Sequence, residues 1–106
     1  MVKIVIENMA RKEVTGKAGS SALRVFHENY IDWMHACGGK GRCTTCKMIV
    51  VRGADALGPL TDAETRYRAT AELAGTERLA CQAKVTGECH VRAPEEYKLP
   101  HQAYTD

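Results

Sequence analysis

Four cysteines constrain this chain more than any other feature: Cys37, Cys43, Cys46 and Cys81, spaced C-x5-C-x2-C-x34-C. Three lie within ten residues, and the segment between the first two reads Gly38-Gly39-Lys40-Gly41-Arg42. A two-residue spacer returns the chain close to itself, so Cys43 and Cys46 can serve neighbouring positions of one centre. Glycines at 38, 39 and 41 permit positive φ angles and carry no side chain to block close approach. Backbone N–H groups of such a loop can point at sulfur and stabilise negative charge. Thr44 and Thr45 add hydroxyl donors. If the four cysteines serve one centre, the fold must bring the distant Cys81 back onto that loop.

Five cysteines is an odd count. In a small secreted protein it would suggest a disulfide framework with one thiol left over. The N-terminal Met-Val-Lys-Ile-Val-Ile-Glu has no long apolar stretch and no small-residue cleavage site, so no secretory signal is read there, and cytoplasm is the expected location. In such a chain, clustered cysteines more often bind metal than form disulfides. Structural zinc also takes four cysteines, but usually from two C-x2-4-C knuckles. Three clustered cysteines plus one alone fit zinc poorly. They suit a [2Fe-2S] cluster, which takes four thiolates, two per iron. The expected ligands are Cys37, Cys43, Cys46 and Cys81, and the expected chemistry is one-electron transfer.

The 106 residues suffice for one domain with one modest core. No apolar run approaches the roughly 20 residues of a membrane span, so no membrane contact is expected. The formal charge of +2 counts the cysteines as neutral. An oxidised cluster with four thiolates is dianionic and cancels it. Basic residues are scattered and aromatics few, so no nucleic-acid partner is expected.

Val2, Ile4 and Ile6 alternate with Lys3, Val5 and Glu7, which predicts a strand. Residues 12–17 read as a second strand, joined through a tight turn at 8–11. Gly19-Ser20-Ser21 reads as a helix start with a serine N-cap, and a short helix follows over 21–30, with Leu23, Phe26, His27 and Tyr30 at helical spacing. No regular element is predicted for 31–46. Residues 47–51 read as a buried strand. Thr61-Asp62-Ala63-Glu64 fits a capping box. The helix it opens is expected to turn Ala63, Tyr67, Thr70, Ala71 and Ala74 inward and to end at Gly75. A last strand is expected near 83–92. The fold class is therefore α+β, a mixed sheet with a packed helix. Residues 1–93 form the domain, and 94–106 a polar C-terminal tail.

Cys37-Gly-Gly-Lys-Gly-Arg-Cys43-Thr-Thr-Cys46 and the later Arg78-Leu-Ala-Cys81-Gln82 resemble the [2Fe-2S] ferredoxins. Five residues between the first two cysteines resemble the vertebrate-type, adrenodoxin-like branch; the plant type has four. Leu60-Thr-Asp-Ala-Glu64 is similar to the helix start in that branch. The resemblance runs over about residues 1–93. It implies a ubiquitin-like β-grasp fold, cluster ligation by Cys37, Cys43, Cys46 and Cys81, and a soluble electron shuttle. Two features depart from that branch. The cysteine loop is richer in glycine. The helix after Thr61, acidic in those relatives, here interleaves Asp62, Glu64, Glu72 and Glu77 with Arg66, Arg68 and Arg78.

Val85, Gly87, Cys89 and Val91 share an apolar strand face, so Cys89 is read as a buried structural thiol rather than a ligand. His90 falls on the opposite, solvated face with Thr86, Glu88 and Arg92. His35 is read as a loop histidine beside the cysteines, and Trp33 and Met34 as loop packing. Lys40 and Arg42 flank the cysteine loop and face water or offset its charge. His27 and His101 show no partner pattern. The chain lacks a G-x-G-x-x-G fingerprint, so it needs a partner to draw on pyridine nucleotide. The expected function is that of a carrier, not an enzyme, passing one electron from a ferredoxin reductase to an acceptor protein as a monomer with transient contacts. A redox-sensing regulatory module is the alternative, and a zinc-stabilised interaction domain stands behind it.

Overall fold

The computed structural model describes residues 1–33, 46–95, 98–99 and 104–105. One five-stranded mixed sheet organises them, in the order β2-β1-β5-β3-β4. β1 (Val2–Ile6) and β2 (Lys12–Gly16) form the expected antiparallel hairpin. Its turn places Ala10 and Arg11 at φ 55° each. Alternation along β1 buries Val2, Ile4 and Ile6; Val5 is covered as well. β5 (Glu88–Arg92) runs parallel to β1, with Cys89 opposite Ile4. β3 (Lys47–Arg52) joins the other side of β5 with a register shift after Val50. Gly53 follows at φ +79°, where a Cβ would stand 2.5 Å from the Glu88 carbonyl. Only glycine lets the chain pass that close to β5.

α1 (Ala22–Glu28) begins where the serine predicted it. Ser21 Oγ accepts from the Arg24 N–H at 3.2 Å. The helix buries Ala22, Leu23, Val25 and Phe26 against the sheet. His27 and Tyr30 are exposed, contrary to the helical stripe read from sequence, because the inward face is set by Val25 instead. The helix ends at Asn29, whose side-chain amide donates to the Thr15 and Val25 carbonyls.

α2 (Asp62–Ala69) opens with the expected capping box: Glu64 N–H to Thr61 Oγ1 at 3.3 Å, and Thr61 N–H to Glu64 Oε1 at 3.1 Å. Its end differs from the expectation. The helix stops at Thr70, not Gly75, and Thr70, Ala71 and Ala74 are exposed. Ala71 takes φ 63°, Glu72 N–H donates back to Tyr67 O at 3.0 Å, and Ala71 N–H donates to Arg68 O at 3.2 Å. That is the Schellman pattern with alanine in the left-handed position. The stop comes early because Leu73, 2% exposed, turns into the core.

Left-handed backbone costs a non-glycine residue about 1–2 kcal/mol. Ala71→Gly is therefore expected to raise stability by about 0.5–1 kcal/mol, after the greater entropy of glycine in the unfolded chain is subtracted. Thermal melts of the two proteins would show it, and an unchanged or lower midpoint would contradict it.

A short strand absent from the sequence reading, β4 (Glu77–Leu79), pairs antiparallel with β3 at the sheet edge. At the far end of the sheet, Asn8 bonds both backbone groups of Ala93, at 3.0 and 2.9 Å. Thr105 and Tyr104 lie against the same corner; the Thr105 N–H donates to Asn8 O at 2.9 Å.

Candidate metal centre

Two of the four expected ligands, Cys46 and Cys81, fall among the described residues; Cys37 and Cys43 lie outside them, as do Met34, His35, Lys40, Arg42, Thr44, Thr45 and His101. Cys46 immediately precedes β3 and is fully buried. Cys81 lies two residues beyond β4 and is partly exposed. Pairing of β3 with β4 places the two segments side by side, with Lys47 opposite Leu79. The Ala80 N–H then donates to the Cys46 carbonyl at 3.2 Å. As a result the two sulfurs, separated by 34 intervening residues in sequence, stand 3.5 Å apart.

That spacing is far beyond a disulfide's 2.05 Å or so. It is close to the roughly 3.8 Å that two sulfurs span across one tetrahedral ion with bonds of about 2.3 Å. The described half of the cysteine set therefore fits a thiolate-bound metal centre. Gln82 Nε2 adds a donor 3.6 Å from the Cys81 sulfur.

The surroundings hold both segments firmly. Trp33 Nε1 donates to the Cys46 carbonyl at 3.0 Å, and the indole stacks on Phe26 with ring centroids 4.4 Å apart. Trp33 is buried, as its reading as packing required. The Ala80 and Ala83 carbonyls accept from the Leu23 and Ala22 N–H groups, docking the first turn of α1 on the Cys81 turn. Beside Cys81 a shallow cavity of about 350 Å³ opens between Ser21, Leu23, Arg24 and His27.

A buried ion pair anchors β4 from the other side. Arg78 Nε and Nη2 donate to Glu64 at 2.6 and 3.0 Å, a two-pronged contact, and the Leu79 N–H donates to the same carboxylate at 3.0 Å. Glu64 is fully buried. Burial alone would raise its pKa, but the Arg78 guanidinium and the Thr61 and Leu79 N–H groups outweigh that and hold it below the ordinary carboxylate value. Both residues belong to the segments that carry the family resemblance. Their partnership was not read from sequence, because Glu64 already had a role as capping residue and Arg78 looked like one charge among several.

Cys89 is where its strand face placed it, fully buried in the sheet beside Ile4. Burial, with a smaller contribution from Glu88, pushes its thiol up to about 11. It is therefore expected to resist alkylation by iodoacetamide at pH 8 in the folded protein and to react at once in denaturant. Equal rates in both states would contradict the burial. A raised folded value adds stability that is complete below about 9.0, its unfolded value, and is lost as pH climbs through 11. The opposite face of β5 is less solvated than expected. The His90 side chain is 12% exposed, set between Glu7 at 2.6 Å and Glu88 at 3.3 Å. Its ring holds both carboxyls below their ordinary values.

The 2Fe-2S iron-sulfur cluster binding domain matches this chain over residues 5–86. The chain belongs to the [2Fe-2S] ferredoxin family. This ferredoxin is 36% identical over 92 residues to the 2Fe-2S ferredoxin-5 of Aquifex aeolicus, covering 83% of this chain and 92% of that one. Its fold superposes on an ISC-like [2Fe-2S] ferredoxin of Pseudomonas putida with a TM-score of 0.75 and 29% identity, over 97% of this chain and 100% of the other. A cysteine-to-serine variant of putidaredoxin from Pseudomonas putida follows at TM-score 0.67 and 28% identity, over 88% and 96%. Longer relatives share only a part. The chain is 31% identical to one component of the Na(+)-translocating NADH-quinone reductase of Pseudomonas aeruginosa, but spans 22% of its length. The fold class expected from sequence, an α+β β-grasp mixed sheet with a packed helix, is the class observed, with two helices, α1 and α2, on the sheet. The cofactor of the family is the [2Fe-2S] cluster, and its members are electron carriers rather than enzymes. No helix among the described residues is long and apolar enough to cross a membrane.

Proposed function

We propose that Cys37, Cys43, Cys46 and Cys81 together hold a [2Fe-2S] cluster, and that residues 1–93 are the unit that carries it, with 94–106 as a tail. The approach of the Cys46 and Cys81 sulfurs to 3.5 Å, on two backbone segments bonded to each other, supports this most directly. When bound, the cluster takes up and releases a single electron. The chain's own part is to fix the thiolates, exclude water on the Cys46 side and leave the Cys81 side accessible. In this reading the protein is a monomer that meets a ferredoxin reductase and an acceptor protein in turn. A cytoplasmic setting suits it, since reducing conditions keep thiols available for metal. The match to part of an NADH-quinone reductase component supports a reductase as the electron source.

The test is the visible spectrum and metal content of the purified protein, before and after dithionite. Broad visible bands that bleach on one-electron reduction, with two irons per chain, are expected. Rapid bleaching by NADPH should require added ferredoxin reductase. Zinc without iron, even after anaerobic reconstitution, would overturn the ligand assignment. An iron-loaded protein that no reductase can reduce would overturn the shuttle.

A further inference from the structure

α2 carries a guanidinium, that of Arg68, with no counter-ion among the described residues. Arg68 Nη2 donates to the carbonyls of Gly75 at 3.2 Å and Glu77 at 3.0 Å, while its Nε is buried with no hydrogen-bond partner. The nearby carboxylates are engaged elsewhere. Glu64 is taken by Arg78, and Glu77 by Lys47 at 3.7 Å and the Ala74 N–H at 2.8 Å. Among the described residues, no carboxylate lies within ion-pair distance of Arg68.

Arg68 lines a cavity of about 430 Å³ whose walls include Val50, Leu57, Pro59 and Leu60. Arg78 lines it too, but its charge is already matched by Glu64. The cavity thus offers apolar walls and a guanidinium whose charge has no counterpart among the described residues; the unpartnered Nε–H is itself buried, and its isolation costs about 1–3 kcal/mol. Its size falls within the range of small-molecule sites, roughly 300–1,000 Å³.

We propose that this cavity binds a carboxylate borne on a short apolar body, with Arg68 as its anchor. The guanidinium fork matches a carboxylate in two parallel bonds, and small turns of the side chain would bring Nε into use. Val50, Leu57 and Leu60 would cover the apolar part. Phosphate fits less well: among the described residues a dianion would find a single cation without a countercharge, set in apolar walls. The carboxylate has two possible sources, a free small acid or an acidic side chain next to an apolar one on a partner protein.

The test follows the amide and arginine Nε–H signals of the iron-loaded protein by 15N NMR. Hexanoate, hexanol, inorganic phosphate and acetyl-Glu-Leu-amide are titrated separately. Hexanoate or the dipeptide is expected to shift Arg68 Nε–H and the Gly75 and Thr76 amides saturably, with hexanol and phosphate without effect. Arg68→Gln should weaken that binding by about tenfold or more, as expected for loss of a charge-assisted pair. Tighter binding of hexanoate assigns the cavity to a free acid, and tighter binding of the dipeptide to a partner's side chain. Absence of saturation by both, equal response to hexanol, or undiminished binding in a folded Arg68→Gln protein would overturn the proposal. Should that variant not fold, the comparison of hexanoate with hexanol in the natural protein decides. The readout does not depend on electron transfer, so it stands or falls apart from the shuttle.

Discussion

Cys81→Ala and Cys46→Ala are each expected to yield protein without its visible bands and with iron at background level, whereas Cys89→Ala keeps both. The three cysteines differ in their surroundings. Cys46 and Cys81 sit on bonded segments with sulfurs 3.5 Å apart. Cys89 is enclosed in the sheet opposite Ile4, and its protonated thiol belongs to the core. Removing its sulfur should cost about 1 kcal/mol of packing and leave the centre untouched. Iron analysis and absorbance after anaerobic reconstitution of all three variants decide the matter. Retention of a normal cluster by either Cys46→Ala or Cys81→Ala would sink the ligand assignment, and its loss in Cys89→Ala would show that the buried thiol had been misjudged.

The second large effect is expected at Glu64. Glu64→Gln leaves the Arg78 guanidinium, 7% exposed, without its countercharge. Breaking one side of a buried pair typically costs about 3–5 kcal/mol. For a domain of this size that corresponds to a fall in melting temperature of roughly 15–30 °C, and it removes a large share of a total stability of about 5–15 kcal/mol. Replacing both partners with apolar residues, as in Glu64→Leu with Arg78→Met, should recover most of the loss, because no charge is then left buried. The pair also sets a direction with pH. Because the folded Glu64 value is depressed, its contribution is complete above the unfolded value of 4.5 and is lost as pH falls through the lower folded value. The natural protein should therefore lose stability on the acid side more steeply than Glu64→Gln. Melting curves from pH 3 to 7 test this; parallel curves would contradict it.

Much of the architecture was legible from residue order alone. Alternation marked β1, the serine marked the start of α1, and Thr61 with Glu64 marked the start of α2. Each is a local signal, decided by neighbours in sequence. What escaped was decided at long range. β4 is three residues long and exists because β3 lies beside it. α2 stops at Thr70 because Leu73 is drawn into the core, although Gly75 was the stronger local stop signal. Glu64 satisfied the capping pattern and so concealed its second role as the partner of Arg78. Of the site, the spacing of the cysteines indicated the chemistry, and the fold supplied the adjacency of Cys46 and Cys81. Arg68 offered no sequence signal, since a half-buried arginine without a counter-ion among the described residues looks like any surface arginine until its neighbours are placed.

Trp33 is the only tryptophan in the chain, and its indole N–H is bonded to the carbonyl of Cys46. The protein thereby carries an optical gauge at one of its cysteine segments. With Cys46 as a ligand, a chromophore absorbing across the near ultraviolet and visible would stand close enough to drain the excited indole, so the loaded protein should be nearly dark in emission. Light returning at indole wavelengths would time the departure of iron from the purified protein, with no label attached and no colour change to follow.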